Sequence, residues 1–213
     1  MTPCLLLLVV AGPPAAATDA ATGPASPWYE VPAPDQSDWS VARREGYAKS
    51  RSAELRVPVA VLSIPQLALA VPVFADTRMT TLEGGVGLVD GAAPPGTPGN
   101  LAIAGHRDSF FRPLERITSG TRIRLETDLE TIHYAVSDIT IVDALDTGPL
   151  DGTDETVLTL ITCHPFRFKG YAPNRFIVRA ELLERISEAS GLGQARTAPQ
   201  PIGTIFTTER ITP

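Results

Sequence analysis

Cysteine is nearly absent from this chain: Cys4 and Cys163 are the only two in 213 residues. Two thiols cannot build a disulfide framework, and Cys4 falls in a segment that does not read as part of a folded domain. Cys163 is therefore effectively unpaired, either buried and inert or kept for its reactivity. Basic clusters are missing too. The 18 Lys and Arg stand against 24 Asp and Glu and are scattered, so no block or stripe favours a nucleic-acid partner. The apolar run Cys4 to Ala11 (CLLLLVVA) is well short of the roughly 20 residues a membrane-spanning helix needs. No Lys or Arg precedes Arg43, so the run has no basic flank and the positive-inside rule has nothing to act on. Among three histidines there is no His-x3-His spacing, and no Cys-x-x-Cys occurs, so no metal or cofactor is expected. There is no internal repeat and almost no long helical periodicity.

What is present is organised around a core. The 20 prolines and 17 glycines are spread unevenly, and Gly12 to Pro34 and the stretch after Glu188 hold many of them. Residues 1–17 read as an apolar leader, expected to be a truncated signal-anchor. A cleaved signal peptide with its site at Ala15-Ala16-Ala17 is the alternative, and a cytoplasmic protein the third. Residues 18–54 read as a linker with a short helix over Asp38 to Lys49, capped by Ser37 or Asp38, whose Trp39 is expected to pack on the domain, with a membrane surface as the alternative. The domain, 55–186, opens with apolar β-branched runs at Val57 to Ile64 and Leu67 to Phe74, an antiparallel pair split by Pro65-Gln66. Then come a helical turn at Thr77 to Glu83, a short run Val86 to Val89, and a strand Asn100 to Gly105. A turn at Phe110 to Ile117 leads to strands at Thr121 to Glu126 and Thr131 to Val142. Beyond an acidic loop, Asp143 to Glu155, lie two more strands, one ending in Cys163 and one starting at Arg175. Residues 187–213 read as a flexible tail. Seven or eight short strands with turn signals between them predict an all-β fold, a closed or nearly closed barrel.

The chemistry gathers at strand ends. A free thiol is mostly protonated at neutral pH and needs a base or cation beside it to become a nucleophile. Cys163 ends the run Val157 to Thr162, and Arg175 opens the following strand, which puts a thiol and a guanidinium side by side on neighbouring strands. His106, closing Leu101 to Gly105, is the third partner. Alone, Cys163 would read as a small buried hydrophobe, and His106 as a structural histidine; together they read as a site. His133 lies mid-strand and reads as a packing or solvated side chain. His164 follows the cysteine directly, so in an extended chain its ring points the other way.

These residues carry a resemblance. Thr159-Leu160-Ile161-Thr162-Cys163 resembles the TLxTC signature of the sortases, cysteine transpeptidases of bacterial surfaces. Asn100 to Asp108 (NLAIAGHRD) is similar to their histidine segment and Asn174 to Val178 (NRFIV) to their arginine strand. His106 to Leu114 (HRDSFFRPL) most resembles class D and related sortases, including Gram-negative ones. The likeness covers about Val57 to Leu183; the N-terminus departs from it, since the family carries a full signal-anchor helix. The resemblance implies an eight-stranded closed barrel, with Cys163 as nucleophile, His106 as general acid and base, and Arg175 as donor to the oxyanion or substrate backbone. Thr162 and Asn174 are implied as substrate-binding residues, although Thr162 also reads simply as a β-branched strand former. It implies cleavage of an LPxTG-like sorting signal on a surface protein and transfer of the acyl group to an amine acceptor of cell-wall or pilin type. The catalytic domain would then sit on the extracytoplasmic side of the cell membrane, anchored through its N-terminus. Some relatives bind calcium through acidic loops, but Asp146, Asp151, Asp154 and Glu155 read here as a solvated loop. Asp108 reads as a loop-fixing residue rather than a triad acid. The rival from another class is a non-catalytic β-barrel binding module. An L,D-transpeptidase or papain-like enzyme lacks its motif, since neither Ser-x-Gly-Cys nor Cys-Gly-Ser-Cys-Trp occurs.

Overall fold

A computed structural model describes residues 31–52, 57–168 and 170–187. The expected leader, the first part of the linker, and the tail beyond residue 187 lie outside the described residues. Eight strands carry the fold: β1 Ala60–Ile64, β2 Leu69–Phe74, β3 Val86–Leu88, β4 Gly99–Ala104, β5 Arg122–Glu126, β6 Glu130–Asp143, β7 Thr156–His164 and β8 Asn174–Ser187. They close into a barrel in the order β1-β2-β3-β4-β7-β8-β6-β5. The expected all-β closed barrel is what the chain forms.

Alternation along each strand sorts the side chains. Leu62, Ile64, Val71, Val73, Leu101, Ile103, Ile123, Leu125, Ile132, Tyr134, Leu158, Leu160 and Val178 fill the interior, all but fully buried. Their neighbours point outward, as a period of two requires. Two pairings are parallel, β2 with β3 and β4 with β7. Parallel neighbours need a crossover, and the first is made by the short helix that separates β2 from β3, Met79–Gly84.

The N-terminal helix, α1, spans Val41–Ser52, so the Met79–Gly84 helix is α2. The helix starts later than Asp38, and its cap is Ser40 rather than Ser37 or Asp38. The Ser40 hydroxyl accepts the Arg43 N–H at 3.2 Å, the usual capping bond. Residues 36–39 form a turn instead, with the Trp39 N–H on the Gln36 carbonyl at 3.1 Å. Trp39 is only 5% exposed, packed edge-on against Phe110 with ring centroids 4.9 Å apart. β1 begins at Ala60, three residues later than expected, because Pro58 has no N–H to give the ladder and Val57 is exposed. No helix among the described residues is long and apolar enough to cross a membrane.

Candidate active site

β4 and β7 run parallel, with Ala104 opposite Ile161. The pairing continues one residue beyond the strand. The Gly105 N–H donates to the Ile161 carbonyl at 3.1 Å, and the Thr162 hydroxyl donates to the Gly105 carbonyl at 2.8 Å. His106 therefore leaves β4 level with the end of β7, where Cys163 sits. On the other flank of β7, the antiparallel register sets Arg175 of β8 directly opposite Cys163. Paired residues of this kind have Cα atoms about 4.5–5.5 Å apart. Residues 106, 163 and 175 thus form one row across three adjacent strands.

The row lies on the outer face of the barrel. Leu158, Leu160 and Val178 point inward, so Cys163 and Arg175, of opposite parity, point outward. A Cβ on Gly105 would point inward too, 2.7 Å from the Phe111 ring and 2.8 Å from Val86. His106, the next residue, is directed to the other side. Further down the same outer face, Ala102, Val157 and Thr159 are buried despite facing away from the interior. The loop over residues 144–155 is pinned at this face by Asn100. Its side-chain amide donates to the Pro149 and Asp151 carbonyls at 2.9 and 3.1 Å, and its Oδ1 accepts from the Thr159 hydroxyl at 2.7 Å. Accessibility returns at Ile161 and Cys163, at the mouth.

The polar atoms of the row are in different states. The His106 Nε2 is buried and has no hydrogen-bond partner among the described residues. Burial pushes the imidazole down to about 4, the Arg43 cation pushes the same way, and the Asp108 carboxylate opposes them. At neutral pH the ring is therefore uncharged, with a nitrogen lone pair able to take a proton. Arg175 Nη1 donates to the Ala172 and Asn174 carbonyls at 3.3 and 3.1 Å, which holds the guanidinium along the start of its own strand. A guanidinium stays protonated and offers only donors, so Arg175 is able to donate but not to act as a base.

Thr162 and Asn174, the two residues expected at the substrate, lie beside the row rather than in it. Thr162 is 2% exposed, lies on the face opposite Cys163, and has its hydroxyl on Gly105. It supports the histidine turn rather than offering a hydroxyl to substrate. Asn174 pairs with His164, also on the face opposite the Cys163–Arg175 pair. The His164 ring, as its parity requires, turns from Cys163 and stacks on Phe176 with centroids 6.1 Å apart. His133 sits on β6, paired with Arg124 of β5, away from the row.

Most other side chains holding the site were not legible beforehand. Arg107 Nη2 donates to the Phe168 and Gly170 carbonyls, both at 2.9 Å, and Arg112 Nη1 to the Phe166 carbonyl at 3.0 Å. The histidine loop thereby holds the loop that joins β7 to β8. Arg43 of α1 reaches Asp108, Nε to Oδ1, at 3.0 Å. Of these, Asp108 was expected as a loop-fixing residue; for Arg107 and Arg112 the only sequence signal was the density of charge in His106 to Arg112, and Arg43 had none.

A family model for the sortase domain matches residues 62–183, more than half of the chain. The chain belongs to the sortase family. Among curated relatives, sortase D of Bacillus subtilis is 33% identical over 119 residues, covering 55% of this chain and 60% of that protein. This sortase chain therefore spans less than two thirds of that relative's length. Among solved structures, the catalytic domain of B. anthracis sortase D is 34% identical with a TM-score of 0.53, covering 61% of this chain and 90% of that one. Sortase E1 from Streptomyces coelicolor, solved with a tripeptide in its active site, is 26% identical with a TM-score of 0.55, covering 65% and 94%.

Proposed function

We propose that this sortase is a cysteine transpeptidase. It cleaves an LPxTG-like sorting signal through a thioacyl-enzyme and transfers the acyl group to an amine, which anchors a surface protein. The observation that carries the reading is the row of His106, Cys163 and Arg175 across β4, β7 and β8. In the first half-reaction the Cys163 sulfur attacks the carbonyl carbon of the scissile peptide bond while its proton passes to His106. The carbonyl oxygen becomes an oxyanion, which needs fixed donors; an N–H of Arg175 supplies one. As the C–N bond breaks, the His106 imidazolium protonates the leaving amine. In the second half an incoming amine attacks the thioester, His106 takes its proton, and the sulfur departs to regenerate Cys163. Water is the competing acceptor.

Several features support a peptide substrate with apolar residues. Leu145 and Leu150 on the loop after β6, and Phe168 and Tyr171 on the loop after β7, hold large apolar surface in solvent on the two segments that border the row. The tripeptide in sortase E1 favours the same substrate class. Thiolate and imidazolium together are a minor form, since burial disfavours the charged imidazole. A slow enzyme is expected.

Incubating the full chain with quenched LPxTG-type peptides, with and without triglycine, tests this. The expected products by mass spectrometry are a cleaved acyl fragment and, with triglycine, its amide, both lost in Cys163→Ala. Cleavage that persists in Cys163→Ala would overturn the nucleophile assignment. We also place the catalytic domain outside the cytoplasm, tethered through the N-terminus, a reading supported by the apolar run Cys4 to Ala11. Digestion by external protease in spheroplasts is the expected result, and full protection there would reverse the placement.

A further inference from the structure

The loop that carries His106 is held from outside the barrel at two points. Asp108, two residues after the histidine, accepts from Arg43 Nε at 3.0 Å, a contact spanning 65 residues of sequence. Phe110, two residues further, is packed between Trp39 and Tyr47, with ring centroids 4.9 and 5.8 Å away and all contacts edge-to-face. Trp39 and Tyr47 also meet each other, at 5.7 Å. Arg43 and Tyr47 lie on α1, and Trp39 precedes its first turn. Arg43 and Tyr47 are four residues apart on the helix, which sets their side chains in one stripe, and Trp39 packs beside it. That stripe falls on the histidine loop, while most of the remaining helix surface is open to solvent. Among the described residues, no side chain is hydrogen-bonded to the His106 ring. Its buried Nε2 has no partner among the described residues, and neither Asp108 nor any other carboxylate is hydrogen-bonded to the ring there.

We propose that α1 is a working arm of the active site, in which Arg43 positions His106 for proton transfer by holding Asp108, with Trp39 and Tyr47 clamping Phe110. The proposal rests on reading His106 as the acid–base group. Arg43 is a positioning residue and touches neither thiol nor substrate. Its ion pair is partly exposed, 24% and 40% on the two sides, and such pairs contribute little to stability. Placement is where it acts, because a displacement of about 1 Å at a reacting group costs roughly 100-fold in rate. Charge acts along the same route. The charged and titratable groups around His106 are Arg43 from α1, Arg107 and Asp108 from its own loop, and Cys163 and Arg175 from β7 and β8. Arg43 disfavours the imidazolium and Asp108 favours it, so removing one or the other moves the histidine in opposite directions.

The test follows the His106 ring by NMR across pH in the full chain, alongside steady-state cleavage of an LPxTG-type quenched peptide. Arg43→Gln is expected to raise the His106 titration midpoint and Asp108→Asn to lower it, while Arg43→Lys, which keeps the charge, restores most of the wild-type value. In both Arg43→Gln and Asp108→Asn, kcat is expected to fall at least about threefold with KM within about twofold, the pattern of a lost transition-state arrangement. An unchanged midpoint and kcat in Arg43→Gln, with only a lower melting temperature, would make α1 a structural pad and overturn the proposal. A shifted midpoint with unchanged kcat would overturn it too. Should Arg43→Gln fail to fold, Asp108→Asn carries the same decision. If wild-type protein cleaves no peptide, the transpeptidase reading fails, and the NMR midpoints still decide whether helix and histidine are coupled.

Discussion

Gly105 matters for space rather than for backbone conformation. A Cβ there would sit 2.7 Å from the fully buried Phe111 ring and 2.8 Å from Val86, neither of which is a flexible surface group. Gly105→Ala is expected to cost about 1–3 kcal/mol, the usual range for overpacking a tight interior, measured by urea denaturation. Because His106 is the next residue, peptide cleavage should fall together with stability. Arg175 invites a different test. Lys keeps the charge but loses the planar fork, whose Nη1 serves the Ala172 and Asn174 carbonyls and whose other N–H groups are proposed to meet the oxyanion. Arg175→Lys is expected to remain folded by circular dichroism and to lose about 100-fold in kcat/KM, the scale of one lost oxyanion donor. Near wild-type turnover would remove Arg175 from the mechanism.

At the scale of elements, the site is made by clamps between loops that are remote in the chain. Asn100 joins the start of β4 to the 144–155 loop and to β7 through three hydrogen bonds. Asn100→Ala leaves the Pro149 and Asp151 carbonyls without this donor, at a cost of about 1–3 kcal/mol for a buried polar group stranded. The loop bounds the mouth where Cys163 is exposed, so KM for the peptide is expected to rise more than kcat falls. Hydrogen exchange over residues 144–155 should quicken in the variant; unchanged protection there would mean that the loop is held by other contacts. The strands themselves were legible as elements because alternation is a local pattern. Their ends were less so. β1 starts at Ala60 and α1 at Val41 because Pro58 and the Ser40 cap decide those boundaries, and each of these outweighed the run of suitable residues around it.

Across the whole molecule, a histidine kept neutral by burial links stability to pH. The unfolded chain binds a proton at His106 near its ordinary value of 6.5, whereas the folded protein does so only near 4. Between those values the unfolded state holds more protons, so stability rises with pH across that window and falls as acid is added. His106→Gln is expected to flatten this component. The difference between the two stability curves should slope by no more than about 1.4 kcal/mol per pH unit, one proton's worth. Parallel curves from pH 7 to pH 4 would contradict a buried neutral His106.

A barrel of seven or eight strands and the pairing of Cys163 with Arg175 were within reach of the sequence alone, since β-branched alternation, turn residues and one short connection between two strands are local facts. His106 was singled out by its place at a strand end and by motif likeness. Its level with Cys163 depends on a parallel β4–β7 pairing between segments more than fifty residues apart, and no local pattern specifies a partner at that distance. For the same reason, the face that Thr162 presents, the Asn100 pins and the grip of α1 on the histidine loop were decided only by tertiary structure. A side chain's neighbours across the fold are set by how the barrel closes, and closure is a property of all eight strands together.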